Sequence, residues 1–394
     1  MTVLFWVCLC GIGYAYAGYP LIIWILSTLR PRPWKAKTIM PTVSVLLAVH
    51  NGGKLLRRKI DHLLDLKYPK IAEIIIVSDG STDDSAAILE SQAHPSITPI
   101  ILTEHAGKAV AINAGVSRAS GDIILFVDIR PEIAPGALEL LVSNFADDQV
   151  GCVAGELRLR QEGHDAGASA ISGIYWRYEQ WLRTHEALID SPVGVYGGFY
   201  AIRRNLAVEL PAGTILDDMF QPLSIVRQGY RSVVDPRACV YDTWPKKVEG
   251  EFNRKVRTLA GNFQLFRLAP WMLTRKNRLL FQLVSHKVLR LVVPYLLILL
   301  FACSISLATK SRAFAIFTGI QACLYALSIV GFSSKKGRIG RLAGAANALV
   351  VLNAAAVVAL HKYLFTRGPL WKIWNASGSP DVTAATTVAS STQF

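Results

Sequence analysis

An α/β domain on a mostly parallel sheet, joined to an α-helical transmembrane region, is the fold class this sequence predicts. Three observations carry it. Short β-branched apolar runs alternate with helical periodicity through the first half of the chain. Apolar runs of about 20 residues, enough to cross a bilayer, stand at the N-terminus and in the last third. Charge is segregated between the two regions. The 394 residues carry 42 Lys+Arg against 28 Asp+Glu, a formal charge of +14, yet residues 39–245 hold 18 basic and 25 acidic side chains. The positive excess lies in Arg30–Lys37, Lys246–Arg290 and the flanks of the C-terminal apolar runs. Basic residues that bracket hydrophobic spans read as juxtamembrane charge, so membrane lipids are expected partners and nucleic acid is not. With 52% hydrophobic residues, 18% charged and a mean hydropathy of +0.34, neither disorder nor an ordinary soluble enzyme fits.

Val3 to Leu29 is apolar and ends at Arg30-Pro31-Arg32-Pro33. It is longer than a signal-peptide core and its charge follows it, so it reads as a signal anchor with Arg30 onward in the cytoplasm. Four buried strands are expected at Val43–Val49, Ile74–Ser78, Ile100–Thr103 and Ile123–Val127, with helices at Lys54–Leu66 and Lys108–Arg118. Beyond Lys246, Phe252–Leu268 and Trp271–Lys287 mix cations with Phe, Leu and Trp, as helices lying in the headgroup layer do. Further spans are expected near Val288–Leu307, Ala313–Phe332 and Leu342–Leu364. The last is Ala-rich with Asn347 and Asn353 inside it, and so is expected to face protein and bond across helices. The resulting division is an N-terminal span in 1–30, a cytoplasmic domain in 38–245, interfacial helices in 246–287, about three spans in 288–366 and a flexible tail in 375–394. Arg367, Lys372, Trp371 and Trp374 look like a cytoplasmic or interfacial end, which four spans would place outside. The six cysteines form no CxxC pair or Cys/His cluster and read as thiols in a reducing compartment.

Chemistry gathers where strands end. The second strand runs into Asp79-Gly80-Ser81-Thr82-Asp83-Asp84, and ligands in α/β sheets bind beyond the carboxyl ends of strands. A helix N-cap accounts for Asp83 and Asp84 but not for Asp79. The first strand delivers His50 and Asn51 before a Gly pair, and the fourth delivers Asp128, a carboxylate suited to a divalent cation bridging two phosphates. Adjacent Asp217 and Asp218 in an apolar setting raise one another's proton affinity, which suits a general base; a helix start with acids favoured by the dipole is the alternative. Arg254 and Arg257 suit either a diphosphate clamp or anchoring to anionic lipid headgroups.

Taken in order, these elements resemble the family 2 inverting glycosyltransferases of GT-A fold, in the membrane-integrated branch of cellulose and hyaluronan synthases. The resemblance covers Pro41 to Gln264 and rests on Asp79–Asp83, Gly107-Lys108 with Asn113 and Gly115, Asp128, Gly197-Gly198 with Arg203-Arg204, and Leu216-Asp217-Asp218. It implies a membrane-embedded enzyme of cell-surface polysaccharide synthesis that moves a sugar from a nucleotide sugar, a UDP-sugar, to a glycan or lipid-linked acceptor. It implies donor contacts from His50, Asn51, Asp79, Lys108, Asp128, Arg254 and Arg257, with Mg2+ or Mn2+ on Asp128. It also implies Asp218 as general base beside Asp217, and acceptor contacts from Trp176, Tyr178, Gly197 and Gly198. The sequence departs from the family pattern in three places. Arg130 replaces the second acid of the DxD motif, Gly52 replaces an acid after Asn51, and Arg254 to Asn262 lacks the Trp of the QxxRW segment. These departures keep open a non-processive enzyme acting on a lipid carrier, and a non-catalytic membrane subunit that binds nucleotide sugar. A transporter is disfavoured by few spans without intramembrane acids.

Overall fold

The computed structural model describes residues 1–160, 166–243, 248–330, 337–366 and 370. The expected tail at 375–394, and Arg367, Trp371, Lys372 and Trp374, lie outside these residues. Eight strands form one sheet: β1 Val43–Val49, β2 Ile71–Asp79, β3 Ile97–Leu102, β4 Ile123–Val127, β5 Glu132–Ile133, β6 Val150–Arg160, β7 Phe199–Arg203 and β8 Arg231–Thr243. Their order is β3-β2-β1-β4-β7-β6-β8-β5. The first four are mutually parallel, β7 runs antiparallel to β4 and β6, and β6 pairs parallel with β8. Ile74 to Val77 are each no more than 2% exposed, because helices cover both faces of a central parallel strand. β3 instead alternates half-buried and exposed residues after Ile97 and carries Pro99, as an edge strand can. Along β1, Val45 and Leu47 enter the core on one face while Leu46 enters the core on the other.

The helices are α1 Thr2–Leu29, α2 Gly53–Leu64, α3 Ser85–Glu90, α4 Lys108–Val116, α5 Ala137–Ser143 and α6 Ala166–Ile189. They continue as α7 Asp217–Arg227, α8 Val248–Leu268, α9 Leu280–Ala308, α10 Arg312–Val330 and α11 Gly337–Phe365. Among the described residues, three helices are long and apolar enough to cross a membrane: Thr2–Leu29, Leu280–Ala308 and Arg312–Ile329. α11 packs on protein, burying Ala355 and Ala359 against Val256 and Ala260 of α8. Its Asn347 donates to the Ser328 carbonyl at 3.0 Å, and Asn353 donates to the Tyr16 hydroxyl at 3.0 Å.

One expected element is corrected. Trp271–Lys287 is not a separate amphipathic helix. A single 3₁₀ turn spans Pro270–Leu273, and the chain then runs irregularly until α9 starts at Leu280. Local bonds hold this break open: the Asn277 amide donates to the Met272 carbonyl (2.8 Å), its oxygen accepts from Leu279 N–H (3.0 Å), and Arg278 pairs with Asp190 at 3.0 Å. His286 and Lys287 therefore belong to a helix long and apolar enough to cross a membrane.

Candidate active site

The carboxyl ends of β1, β2 and β4 open into one cleft of about 490 Å³, closed on the far side by α6, α7 and α8. Pairing of β4 with β7 sets its floor, because Val127 lies opposite Phe199 and Asp128 N–H donates to the Gly198 carbonyl at 3.3 Å. On one wall the Asp79 side chain, 3% exposed, is spent on the loop after β3. It accepts from Ala106 N–H (2.8 Å), Gly107 N–H (2.9 Å) and His105 Nδ1 (2.8 Å). His50 donates from Nδ1 to the Asp79 carbonyl at 2.7 Å and stacks on His105 with ring centroids 3.6 Å apart. Gly80 at φ +55° lets the two loops touch, since a Cβ there would lie 2.1 Å from His105 N.

Next to this loop the cleft lining is acidic. Lys108 opens α4 and extends its ammonium to Asp128 at 3.2 Å and Asp217 at 3.4 Å. Burial works against that charge, but Asp128 and Asp217 outweigh it and hold the Lys108 ammonium above its ordinary range. Asp217, 4% exposed, begins α7 with Asp218, and its Oδ2 is buried without a hydrogen-bond partner. Burial, then the neighbouring Asp217 carboxylate, push the Asp218 carboxyl up to about 7. Gly197 lies against this side chain: a Cβ there would sit 2.9 Å from both Asp218 Cβ and Oδ2.

Of the expected site residues, His50, Asp79, Lys108, Asp128, Gly197, Gly198, Asp217, Asp218, Arg254, Arg257 and Trp176 line this cleft. Asn51 and Tyr178 are not among its lining residues. The Asn51 amide oxygen instead accepts from Thr82 N–H at 2.8 Å and ties the β1 turn to the β2 turn. Tyr178 faces the opposite side of α6, packed with Tyr19, Ile23 and Leu182, because successive helix positions point about 100° apart. Five lining residues were not legible in the sequence: His105, Arg183, Tyr196, Asp242 and Lys287. His105 had a usable signal, lying two residues before Gly107-Lys108. The others sit on elements the periodicity did not disclose.

Whether a divalent cation fits depends on the donors. Arg130 stands in the place of the second acid and pairs with Asp242 at 3.4 Å, and Lys108 sits on one oxygen of Asp128. Among the described residues, no group of three or more His, Cys, Asp or Glu side chains is placed to hold a metal ion. The donor set therefore fits an ion shared between Asp128, phosphate oxygens and water, which is how Mg2+ is usually held, and not an all-protein cage.

The parallel half-sheet, the cleft at its carboxyl edge and the paired acids define a nucleotide-sugar transferase fold of the GT-A class. Residues 44–210 match the family described as Glycosyl transferase family 2, so this part of the chain is a family 2 glycosyltransferase domain. The poly-beta-1,6-N-acetyl-D-glucosamine synthase of Staphylococcus aureus (strain COL) is 25% identical over 265 residues, covering 65% of this chain. The chain spans 63% of that relative's length. The synthase of the same name from Staphylococcus epidermidis is 24% identical over 299 residues, 74% of this chain and 70% of its own. A mannosyltransferase from Pyrobaculum calidifontis, solved in complex with GDP-Man and Mn2+, shares the fold at a TM-score of 0.71 and 22% identity. That match covers 93% of this chain and 100% of the solved one.

Proposed function

We propose that the chain is a membrane-embedded inverting glycosyltransferase that moves a sugar from a UDP-sugar to a glycan or lipid-linked acceptor in cell-surface polysaccharide synthesis. One observation carries the reading: Asp218 lines the same cleft as Asp128, Arg130, Arg254 and Arg257, with its carboxyl pKa raised to about 7. A base poised near the working pH accepts a proton most effectively. The acceptor oxygen attacks the anomeric carbon as the bond from that carbon to the diphosphate breaks. Asp218 takes the hydroxyl proton, and the diphosphate leaves with the bonding electrons. Lys108 pairs with Asp217 at 3.4 Å and holds it in place beside the base. His50, His105 and the Asp79-ordered loop form the wall for the nucleoside, while Arg130, Arg254 and Arg257 offset charge on the leaving diphosphate. Asp128 would hold Mg2+ or Mn2+ together with the donor phosphates, and the ion would add positive charge at the leaving group.

The similarity to polysaccharide synthases and the three apolar helices support a multi-pass membrane enzyme with residues 38–245 as its cytoplasmic catalytic unit. Thr258, where the family pattern has Trp, lines the cleft and favours single addition over processive polymerisation. Arg130 paired to Asp242 favours a second reading, a non-catalytic subunit that binds nucleotide sugar. Purified full-length protein, offered UDP- and GDP-sugars with Mg2+, Mn2+ or EDTA, separates the two. Nucleoside diphosphate release from one donor, lost in EDTA, is expected. Nucleotide binding without release from any donor, with membrane extract supplied as acceptor, would overturn the catalytic reading.

A further inference from the structure

The segment that follows β4 carries Asp128 and Arg130 into the cleft, and a buried lysine from outside the cleft is bonded to it. Along α2, positions 56, 59, 60 and 63 recur at helical spacing on the face that packs on the sheet. Leu56, Ile60 and Leu63 fill that face with apolar side chains, but Lys59, 4% exposed, stands among them. A lysine is almost never buried without a partner. Here the partner is a main-chain oxygen: Lys59 Nζ donates to the Pro131 carbonyl at 2.6 Å. Burial pulls the ammonium down to about 8, while the Asp128, Glu132 and Asp242 carboxylates favour its charge, so it stays protonated at neutral pH. Neighbouring positions of α2 grip the same segment. His62 Nε2 accepts from Ile133 N–H at 2.9 Å, and Arg58 pairs with Glu132.

These contacts bear on where two cleft residues sit. The run from Asp128 to Ile133 is fixed at its start by the Asp128 N–H bond to the Gly198 carbonyl, and at its end by Ile133 pairing with Val240 of β8. Between these ends Ile129 packs over Gly52, where a Cβ would lie 2.6 Å from Ile129 Cδ1, and Arg130 reaches Asp242 at 3.4 Å. The departures from the family pattern at Gly52 and Arg130 thus fall on one run of chain. Pro131 has no N–H to give, so its carbonyl is the main-chain group by which a side chain can hold that residue. Lys59 is not among the residues lining the cleft, and its effect on the cleft passes through this run. We propose that Lys59 is a positioning residue for the donor diphosphate: its bond to the Pro131 carbonyl sets the Asp128 carboxylate and the Arg130 guanidinium where the two phosphates bind. The proposal rests on the glycosyltransferase reading. It separates the diphosphate end of the donor site, which Lys59 controls, from the nucleoside wall, which the Asp79 bonds to the loop after β3 hold on their own.

The test uses full-length protein in detergent and reads binding, not turnover. UDP affinity is measured by isothermal titration with Mg2+, uridine affinity by ligand-observed NMR, and melting temperature by scanning fluorimetry. GDP and guanosine replace them if that is the pair the wild-type protein binds. Lys59→Met keeps an unbranched apolar stem, removes the donor and leaves the Pro131 carbonyl without its partner. It should weaken UDP binding about tenfold, a loss of about 1.4 kcal/mol, with uridine affinity unchanged. Lys59→Gln, which restores an N–H donor, should recover part of the UDP affinity, and it serves if the Met variant does not fold. Ile60→Val opens a small cavity on the same face of α2; it should lower the melting temperature and keep the wild-type UDP affinity. Three outcomes overturn the proposal. They are unchanged UDP affinity in Lys59→Met, equal weakening of UDP and uridine, or the same loss of UDP affinity in Ile60→Val. Failure of the parent reading would show separately, as absence of UDP and GDP binding in the wild-type protein.

Discussion

Replacing Asp218 with Asn should destroy transfer and, at the same time, make the protein more stable. The Asp218 carboxyl is raised from 3.8 to about 7 by burial and by Asp217. Between those values the folded state binds a proton that the unfolded state has lost, so stability falls as pH rises across the window. At about 1.4 kcal/mol per pH unit the full penalty is about 4 kcal/mol, and sharing of the proton with Asp217 brings the expected gain to about 2–4 kcal/mol. Asn keeps the shape and removes the charge, so the gain is fully present above pH 7, shrinks through the window and vanishes below about pH 4. Scanning fluorimetry of the detergent-solubilised chain at pH 8 and pH 5 reads it directly. A melting temperature several degrees above wild type at pH 8, with a smaller difference at pH 5, is expected. No gain at pH 8, or a gain that grows as the pH falls, would refute the electrostatic account of this site.

Other consequences are open to measurement. The rate of sugar transfer should rise with pH along a single acid limb with a midpoint of about 7, and Asp217→Asn should move that midpoint down by removing the adjacent negative charge. Gly197→Ala should push the Asp218 side chain out of place and lower kcat about tenfold to a hundredfold, with UDP affinity kept in isothermal titration. Asp79→Ala leaves the Ala106 and Gly107 N–H groups without their acceptor, at a cost of about 1–3 kcal/mol for a buried donor. Thermal stability and nucleotide affinity should fall together, and Asp79→Asn should recover part of both. Asn353→Leu should loosen α11 from Tyr16 and lower the melting temperature while leaving UDP binding unchanged.

The parallel half of the sheet was legible because its strands are β-branched, buried on both faces and separated by helices of clear period. β1 and β4 have the bounds the apolar runs indicate, while β2 begins three residues earlier, at Ile71. The antiparallel half was not legible. β6 ends in Glu156 to Arg160, whose alternation with Leu157 and Leu159 resembles an exposed segment, and its pairing with β8 is a tertiary fact. The same division holds for the cleft. Acids that end strands or open a helix, such as Asp128 and Asp218, are placed by local sequence. Arg183 and Lys287 meet only because α6 packs beside α9, and no local pattern encodes that. Tyr178 shows the cost of reading a cluster without its helical phase: Trp176 faces the cleft, and two residues later the chain faces away. The Ala-rich α11 was legible by a different route, since Asn347 and Asn353 needed partners and found them on neighbouring helices.

The most direct test of the central claim is the anomeric configuration of the transferred sugar, followed by NMR with wild-type protein and the Asp218→Asn variant side by side. A β-glycoside formed from an α-linked UDP-sugar by the wild type, with no product from a variant that still binds UDP, is the predicted result. Retained configuration, or undiminished transfer by Asp218→Asn, would contradict the assignment of Asp218 as the base of an inverting displacement.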